Sequence, residues 1–200
     1  KHPNVTHTPF VDPKEIPGES PGETARAGLR IPGADVMTRV IGIDPGLRIS
    51  GYGIVDLSDG QLEPSLVEGG IIRIAADAPM EQRLGQLHEE LSAIVEKFKP
   101  DCFAVEKLYA HYNHPRTAIL MGHARGVILL CAQQHNLPVQ DWPSTEVKKA
   151  LTGYGHASKE QVQRAVQTQC GLEEIPSPPD VADAIAIALC HARRLAVEKL

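Results

Sequence analysis

Two hundred residues, 42% hydrophobic and 22% charged, describe a folded globular chain of one domain with room for an appendage. No apolar run reaches the ~20 residues of a membrane span, and no stretch has the build of a secretory signal. A net charge of −5 argues against nucleic-acid binding through overall charge, so such a role would rest on local basic residues, several of which lie after position 106.

Residues 1–37 hold six of the sixteen prolines, four glycines and little periodic apolar pattern. They are expected to form a disordered N-terminal extension ahead of a single domain over residues 38–200. Met37-Thr38-Arg39 directly precedes the first strand and reads like a natural start. Strands are predicted at 39–44, 51–57 and 66–74, the first two joined by a short turn and therefore antiparallel. Gly69-Gly70 suggests a bulge in the third. Residues 79–97 predict a helix, with Met80, Leu84, Leu87, Leu91, Ile94 and Val95 as its apolar stripe and Pro79 in the first turn. A fourth strand is expected at 102–106 and a long helix at 117–134, where Gly122 and Gly126 would allow close packing. A short strand at 139–142 and helices at 144–151, 158–169 and 179–197 complete the chain. This order predicts an α/β fold, a five-stranded mixed sheet flanked by helices. Cys102, Cys131, Cys170 and Cys190 form no C-x-x-C pair and sit in apolar contexts. Free thiols in a reducing cytoplasm are expected of them rather than zinc ligation.

Four carboxylates carry the chemistry. Asp44 ends the apolar run Val40-Ile41-Gly42-Ile43 and opens a glycine turn. Glu106 ends Cys102-Phe103-Ala104-Val105. Asp180 and Asp183 are three apart at the start of an alanine-rich helix, a spacing that puts them on one face. Bare carboxylates in such apolar segments are costly unless something positive lies beside them. Strand ends in an open α/β sheet are where sites form, and hard oxygen ligands select Mg²⁺ or Mn²⁺ over zinc. Convergence on two ions would give a site for phosphodiester hydrolysis. Taken singly, each acid has a plainer role. Asp44 before Pro-Gly is a turn former, Asp180 a helix cap, Asp183 a partner of the helix dipole, and Glu106 an ion-pair partner of Lys107 or Arg125.

The motifs Ile41-Gly42-Ile43-Asp44-Pro45-Gly46 with Gly51-Tyr52-Gly53, Ala104-Val105-Glu106 and Ala124-Arg125-Gly126-Val127 come in that order. Val147-Lys148-Lys149, Lys159-Glu160-Gln161-Val162 and Asp180-Val181-Ala182-Asp183-Ala184 follow. In order and spacing, over residues 38–197, they resemble the RuvC family of bacterial Holliday-junction resolvases. The resemblance implies an RNase H-like fold and a homodimer cutting two opposing strands of a four-way DNA junction during recombination and repair. It further implies partnership with the branch-migration proteins RuvA and RuvB. Catalysis by Asp44, Glu106, Asp180 and Asp183 around two Mg²⁺ per site is implied too, with Mn²⁺ able to substitute. Tyr109 matches an aromatic position near the exchange point, and its plainer role is a loop tyrosine. Lys148 and Lys159 match basic residues near the scissile phosphate, and otherwise belong to solvated helix faces. Arg116 closes the loop His111-Tyr112-Asn113-His114-Pro115-Arg116 and is a further candidate DNA contact, while Arg125 would be structural.

A sugar kinase of actin-like fold also begins with a strand, an Asp and a glycine turn, but it needs a second similar domain for which 200 residues leave no room. No P-loop, H-E-x-x-H or G-x-S-x-G motif occurs. A DNA-binding module without catalysis is disfavoured by the presence of all four acids.

Overall fold

A computed structural model describes residues 37–108 and 115–199. The expected extension over residues 1–37 therefore lies outside the described residues except for Met37, which opens the first strand. The elements are β1 (Met37–Asp44), β2 (Ile49–Ser58), β3 (Ser65–Arg73), α1 (Met80–Phe98), β4 (Cys102–Glu106), α2 (Pro115–Gln134), β5 (Val139–Trp142), α3 (Ser144–Thr152), α4 (Lys159–Cys170) and α5 (Pro179–Glu198). Among the described residues no helix is long and apolar enough to cross a membrane.

The strands form one sheet in the order β3-β2-β1-β4-β5. β1 runs antiparallel to β2 and parallel to β4, and β5 is parallel to β4. The five-stranded mixed sheet predicted from the sequence is thus the one observed. Alternation along β1 explains its two covers. Val40 joins a core with α3, α4 and α5. Ile41 and Ile43 join a second core with α1 and α2 on the opposite face. β1 lies central and buried because both its faces are apolar.

The α5 face is unusually close. A Cβ at Gly42 would lie 2.3 Å from the Ala184 carbonyl oxygen, one at Gly51 2.0 Å from that of Asp180, and one at Gly53 2.7 Å from Ile185 Cα. Three glycines of β1 and β2 therefore form a floor on which the α5 backbone rests directly. Its alanines complete the fit, with Ala184, Ala186 and Ala188 buried.

Two glycine expectations need correction. The irregularity in β3 falls at Val67, where Ile54 pairs with Glu68 and Val55 with Leu66, while Gly69 and Gly70 stay in register with Gly53 and Tyr52. Those glycines are explained by packing, since a Cβ at Gly69 would meet the Ile185 side chain at 2.7 Å and one at Gly70 the Tyr52 hydroxyl at 2.6 Å and its ring at 2.7 Å. Gly122 and Gly126 do not pack closely within the chain either. A Cβ on them would meet nothing within 4 Å, because both lie on the outer side of α2.

The floor makes a testable contrast. Gly42→Val should overpack the β1–α5 contact and cost at least about 1–3 kcal/mol in chemical denaturation. Gly85→Ala, in mid-α1 with open space around it, should instead stabilise by about 0.5–1 kcal/mol. Equal effects at the two positions would show that α5 does not rest on glycine.

Candidate active site

Asp44 and Glu106 leave the sheet side by side. Ile43 and Val105 are register partners on the parallel strands β1 and β4, and both turn toward the α1–α2 core. By alternation the next residues, Asp44 and Glu106, turn to the α5 face. There the first turn of α5 lies against Gly51, the register partner of Asp44. Asp180 and Asp183 arrive from that turn. All four carboxylates line one cavity of about 910 Å³, together with Lys148, Lys159, Arg48 and Arg83.

Two of the plainer roles are not those the structure shows. The residue at the N-cap of α5 is Pro178, and no side chain caps that end, so the Asp180 carboxylate is not spent there. Arg125 donates to the backbone carbonyl of Glu106 (3.1 Å), not to its carboxylate, and its other arm pairs with Asp141 at 2.5 Å. Arg125 is structural, as expected, and leaves Glu106 without that counterion.

Electrostatics confirms how crowded the acids are. The Asp44 carboxyl is pushed well above the usual carboxylate range by burial, then by the charge of Glu106, a hydrogen bond shared with it, and the charges of Asp183 and Asp180. Asp183 is raised by burial too, but Lys159 and Lys148 pull it back, and Lys159 Nζ lies 4.0 Å from its Oδ2. Among the described residues no three acid, histidine or cysteine side chains are closed to metal-ligating spacing. Asp183 leans toward Lys159 instead. The donor set nevertheless fits a hard divalent cation, because among the described residues the cavity lining offers four carboxylates and no thiolate or imidazole. A cation there would offset both the burial of the Asp44 charge and its repulsion by the neighbouring acids.

The sequence-predicted DNA contacts divide. Lys148, on α3, and Lys159, first residue of α4, both line the cavity. Lys159 is fixed by a reciprocal cap in which Gln161 N–H donates to Ser158 Oγ (3.2 Å) and Ser158 N–H to Gln161 Oε1 (2.8 Å). Tyr109 lies outside the described residues, as does the side chain of Arg116. Sequence reasoning passed over Arg48 and Arg83. Arg83 of α1 donates to the Leu47 carbonyl in the turn that follows Asp44, and its Nε is buried with no partner. Its position one turn past Pro79, at the sheet end that carries Asp44, was the available signal.

Comparison with known proteins agrees with this geometry. The family described as crossover junction endodeoxyribonuclease RuvC matches residues 40–191. The chain belongs to the RuvC family. It is 43% identical over 154 residues to the crossover junction endodeoxyribonuclease RuvC of Desulforamulus reducens, covering 77% of this chain and 93% of that one. A solved structure of T. thermophilus RuvC in complex with Holliday junction substrate superposes with a TM-score of 0.74 at 35% identity, covering 81% of this chain and 97% of that one. The yeast mitochondrial Holliday junction resolvase Ydc2, at 17% identity and TM-score 0.55 over 78% of each chain, shares the fold. The fold is the RNase H-like arrangement expected of the family.

Asp44→Asn gives a test with a worked sign. A carboxyl raised in the folded state holds its proton longer than in the unfolded chain, so metal-free stability is present at low pH and lost as pH rises through the folded value. Asparagine has no such slope. In EDTA the variant should therefore melt higher than the parent, by about 2–4 °C per kcal/mol of repulsion relieved. The gap should widen as pH climbs above the ordinary aspartate value of 3.8. A gap that does not change with pH would show that the folded chain does not raise the Asp44 carboxyl.

Proposed function

We propose that this chain is a structure-specific endonuclease that resolves four-way DNA junctions by hydrolysing one phosphodiester in each of two opposing strands during recombination and repair. The observation that carries this reading is the convergence of Asp44, Glu106, Asp180 and Asp183 from β1, β4 and α5 on one cavity that Lys148 and Lys159 also line. The relatives' printed names, and the solved complex of T. thermophilus RuvC with a Holliday junction, support the same substrate.

In this reading the four carboxylates hold two Mg²⁺, with Mn²⁺ able to substitute. Bound ions of this kind activate water and stabilise the leaving oxygen of a phosphodiester. Asp44 and Glu106, fixed by adjacent strands, orient the ligand set. Asp180 and Asp183 close it from α5. Lys159 and Lys148, whose charges already reach Asp183, turn to the phosphate and hold the scissile strand over the acids. Arg116 adds a backbone contact, and Tyr109, three residues past Glu106, stacks on an unpaired base at the exchange point. The activity resides in residues 38–200, acts in the cytoplasm, and follows branch migration by RuvA and RuvB.

Paired cuts require two sites, and α2 supplies a surface for a second copy. Ile119, Gly122, Gly126 and Leu130 follow one helical stripe. Ile119 is 61% and Leu130 52% exposed, and both glycines face open space. Small residues between exposed aliphatics let two helices approach closely, and the stripe has no partner within the described chain.

A junction assay with Mg²⁺ tests the reading. Symmetric nicks in opposing strands are expected, with four-way junctions bound more tightly than linear duplex and affinity falling steeply with salt. Asp44→Asn should bind and not cut. Lys148→Ala and Lys159→Ala should lose turnover with little change in melting temperature. A chain beginning at Met37 should match the full-length rate. Equal affinity for duplex and junction would sink the resolvase reading.

Sedimentation tests the pairing of copies. The parent should run as a dimer. Leu130→Glu, which puts a charge on the exposed stripe, should run as a folded monomer that no longer makes paired cuts. A monomeric parent would overturn the α2 assignment.

A further inference from the structure

Between Lys148 and Lys159 the chain turns sharply from α3 into α4, and the turn carries an exposed aromatic pair. Tyr154 is 59% exposed, so its ring adds little to either core. His156 meets it edge-on, with ring centroids 5.7 Å apart and planes at 65°.

The backbone beneath the pair is tied down at several points. The Thr152 hydroxyl donates toward the carbonyls of Lys148 (2.8 Å) and Tyr154 (3.1 Å) and accepts from Tyr154 N–H (3.2 Å). Ala157 N–H donates to the Tyr154 carbonyl at 3.2 Å. Gly153 ends α3 in the left-handed region at φ 79°, where a side chain would be strained. A Cβ on Gly155 would stand 3.1 Å from the Thr145 carbonyl, so the turn folds back onto the first turn of α3. Ser144, in that same turn, lines the catalytic cavity, as do Lys148 and Lys159 at the two ends of the connection. The backbone that carries the pair is therefore tied down beside the cavity.

We infer that Tyr154 and His156 form a contact for the sugar–phosphate backbone of the DNA arm that leaves the cleavage cavity, a contact that rests on the resolvase reading. The chemistry fits that partner. Residues 152–158 contain no acid, Lys148 and Lys149 precede them, and Lys159 follows. A flat ring packs against deoxyribose, while the phenol O–H and an imidazole N–H can donate to phosphate oxygens, which position a duplex without reading its sequence. A preformed, edge-braced ring loses little conformational freedom when it binds. Bases paired in an arm are not open to stacking, so the sugar edge is the surface that the ring meets.

The test uses the full-length chain and a synthetic four-way junction in EDTA, read by affinity and by hydroxyl-radical footprinting, which reports on sugars. Wild type should protect a few sugars next to the cleavage position. Tyr154→Ala should bind about tenfold more weakly and lose that protection, with its melting temperature unchanged. Tyr154→Phe should keep the footprint at a few-fold cost. Because tyrosine is neutral, Tyr154→Ala should leave the salt slope as it is, whereas Lys159→Ala should lower it by about one. If wild type protects the junction and Tyr154→Ala gives the same affinity and footprint, the contact is refuted while the resolvase reading stands. That outcome would also leave the ring to a protein partner. If wild type protects no part of the junction, both readings fall.

Discussion

The contact on which the site depends is the α5 backbone lying directly on Gly42, Gly51 and Gly53. Any side chain at these positions would lift the helix from the sheet by the thickness of a Cβ or more. Asp180 and Asp183 ride on the first two turns of that helix, whereas Asp44 and Glu106 are fixed to the sheet. The glycine floor therefore sets the distance between the two halves of the carboxylate set. Displacements near 1 Å are costly to catalysis, so the floor ties fold stability and site geometry to the same few atoms. The alanines of α5 serve the same end, because larger residues at 184 and 188 would pry the helix off just as surely.

The carboxylates work against the stability that this packing supplies. Asp44 is buried, and the charges of Glu106, Asp183 and Asp180 all oppose its own. Nearby cations do little for it. Arg125 is committed to Asp141 and a backbone carbonyl, and Arg83 to Leu47. The two lysines that line the cavity act on Asp183 instead. The result is a site whose negative charge is largely uncompensated at Asp44, with Lys159 and Lys148 acting on Asp183 at its border. A whole-chain charge of −5 hides this arrangement, since the acids point into the cavity and the lysines border it.

Much of this was legible in the sequence because the signals were local. Every strand and helix was foreseen within a few residues, as apolar periodicity and Gly/Pro punctuation dominate in these segments. Strand ends and i,i+3 spacing on a helix allowed Asp44, Glu106, Asp180 and Asp183 to converge while each kept a plainer role, and the family resemblance is what implied that they do. What the sequence left open concerned contacts between elements. Glycine marks a bulge, a turn and a close approach with the same letter, so Gly69-Gly70 read as a bulge although Ile185 and Tyr52 are what require them. Gly122 and Gly126 read as packing glycines although nothing among the described residues lies against them. Arg83 was hidden because its partner, the Leu47 carbonyl, lies 36 positions away on another element. Tyr154 was hidden because a single aromatic in a glycine turn carries no periodicity.

The two sides of the cavity are built in different ways, and the difference has a physical logic. The acids stand on β1, β4 and α5, elements buried over most of their length. The lysines stand on α3 and α4, short helices anchored to the core chiefly by Val147 and Leu151 and by Val162 and Val166. Local devices define the ends of these helices: the Thr152 hydroxyl at the end of α3, Gly153 after it, and the Ser158–Gln161 cap at the start of α4. Charge repulsion among four carboxylates can be held only by a rigid frame, so that half draws on the sheet. The lysines carry no such mutual repulsion, since they border the cavity beside acids of opposite charge. Short helices held by caps can place Lys148, Lys159 and the aromatic turn between them without disturbing the acids. The lysines can then be repositioned by small changes in the α3–α4 connection, at little cost to the core that holds Asp44 and Glu106 in register.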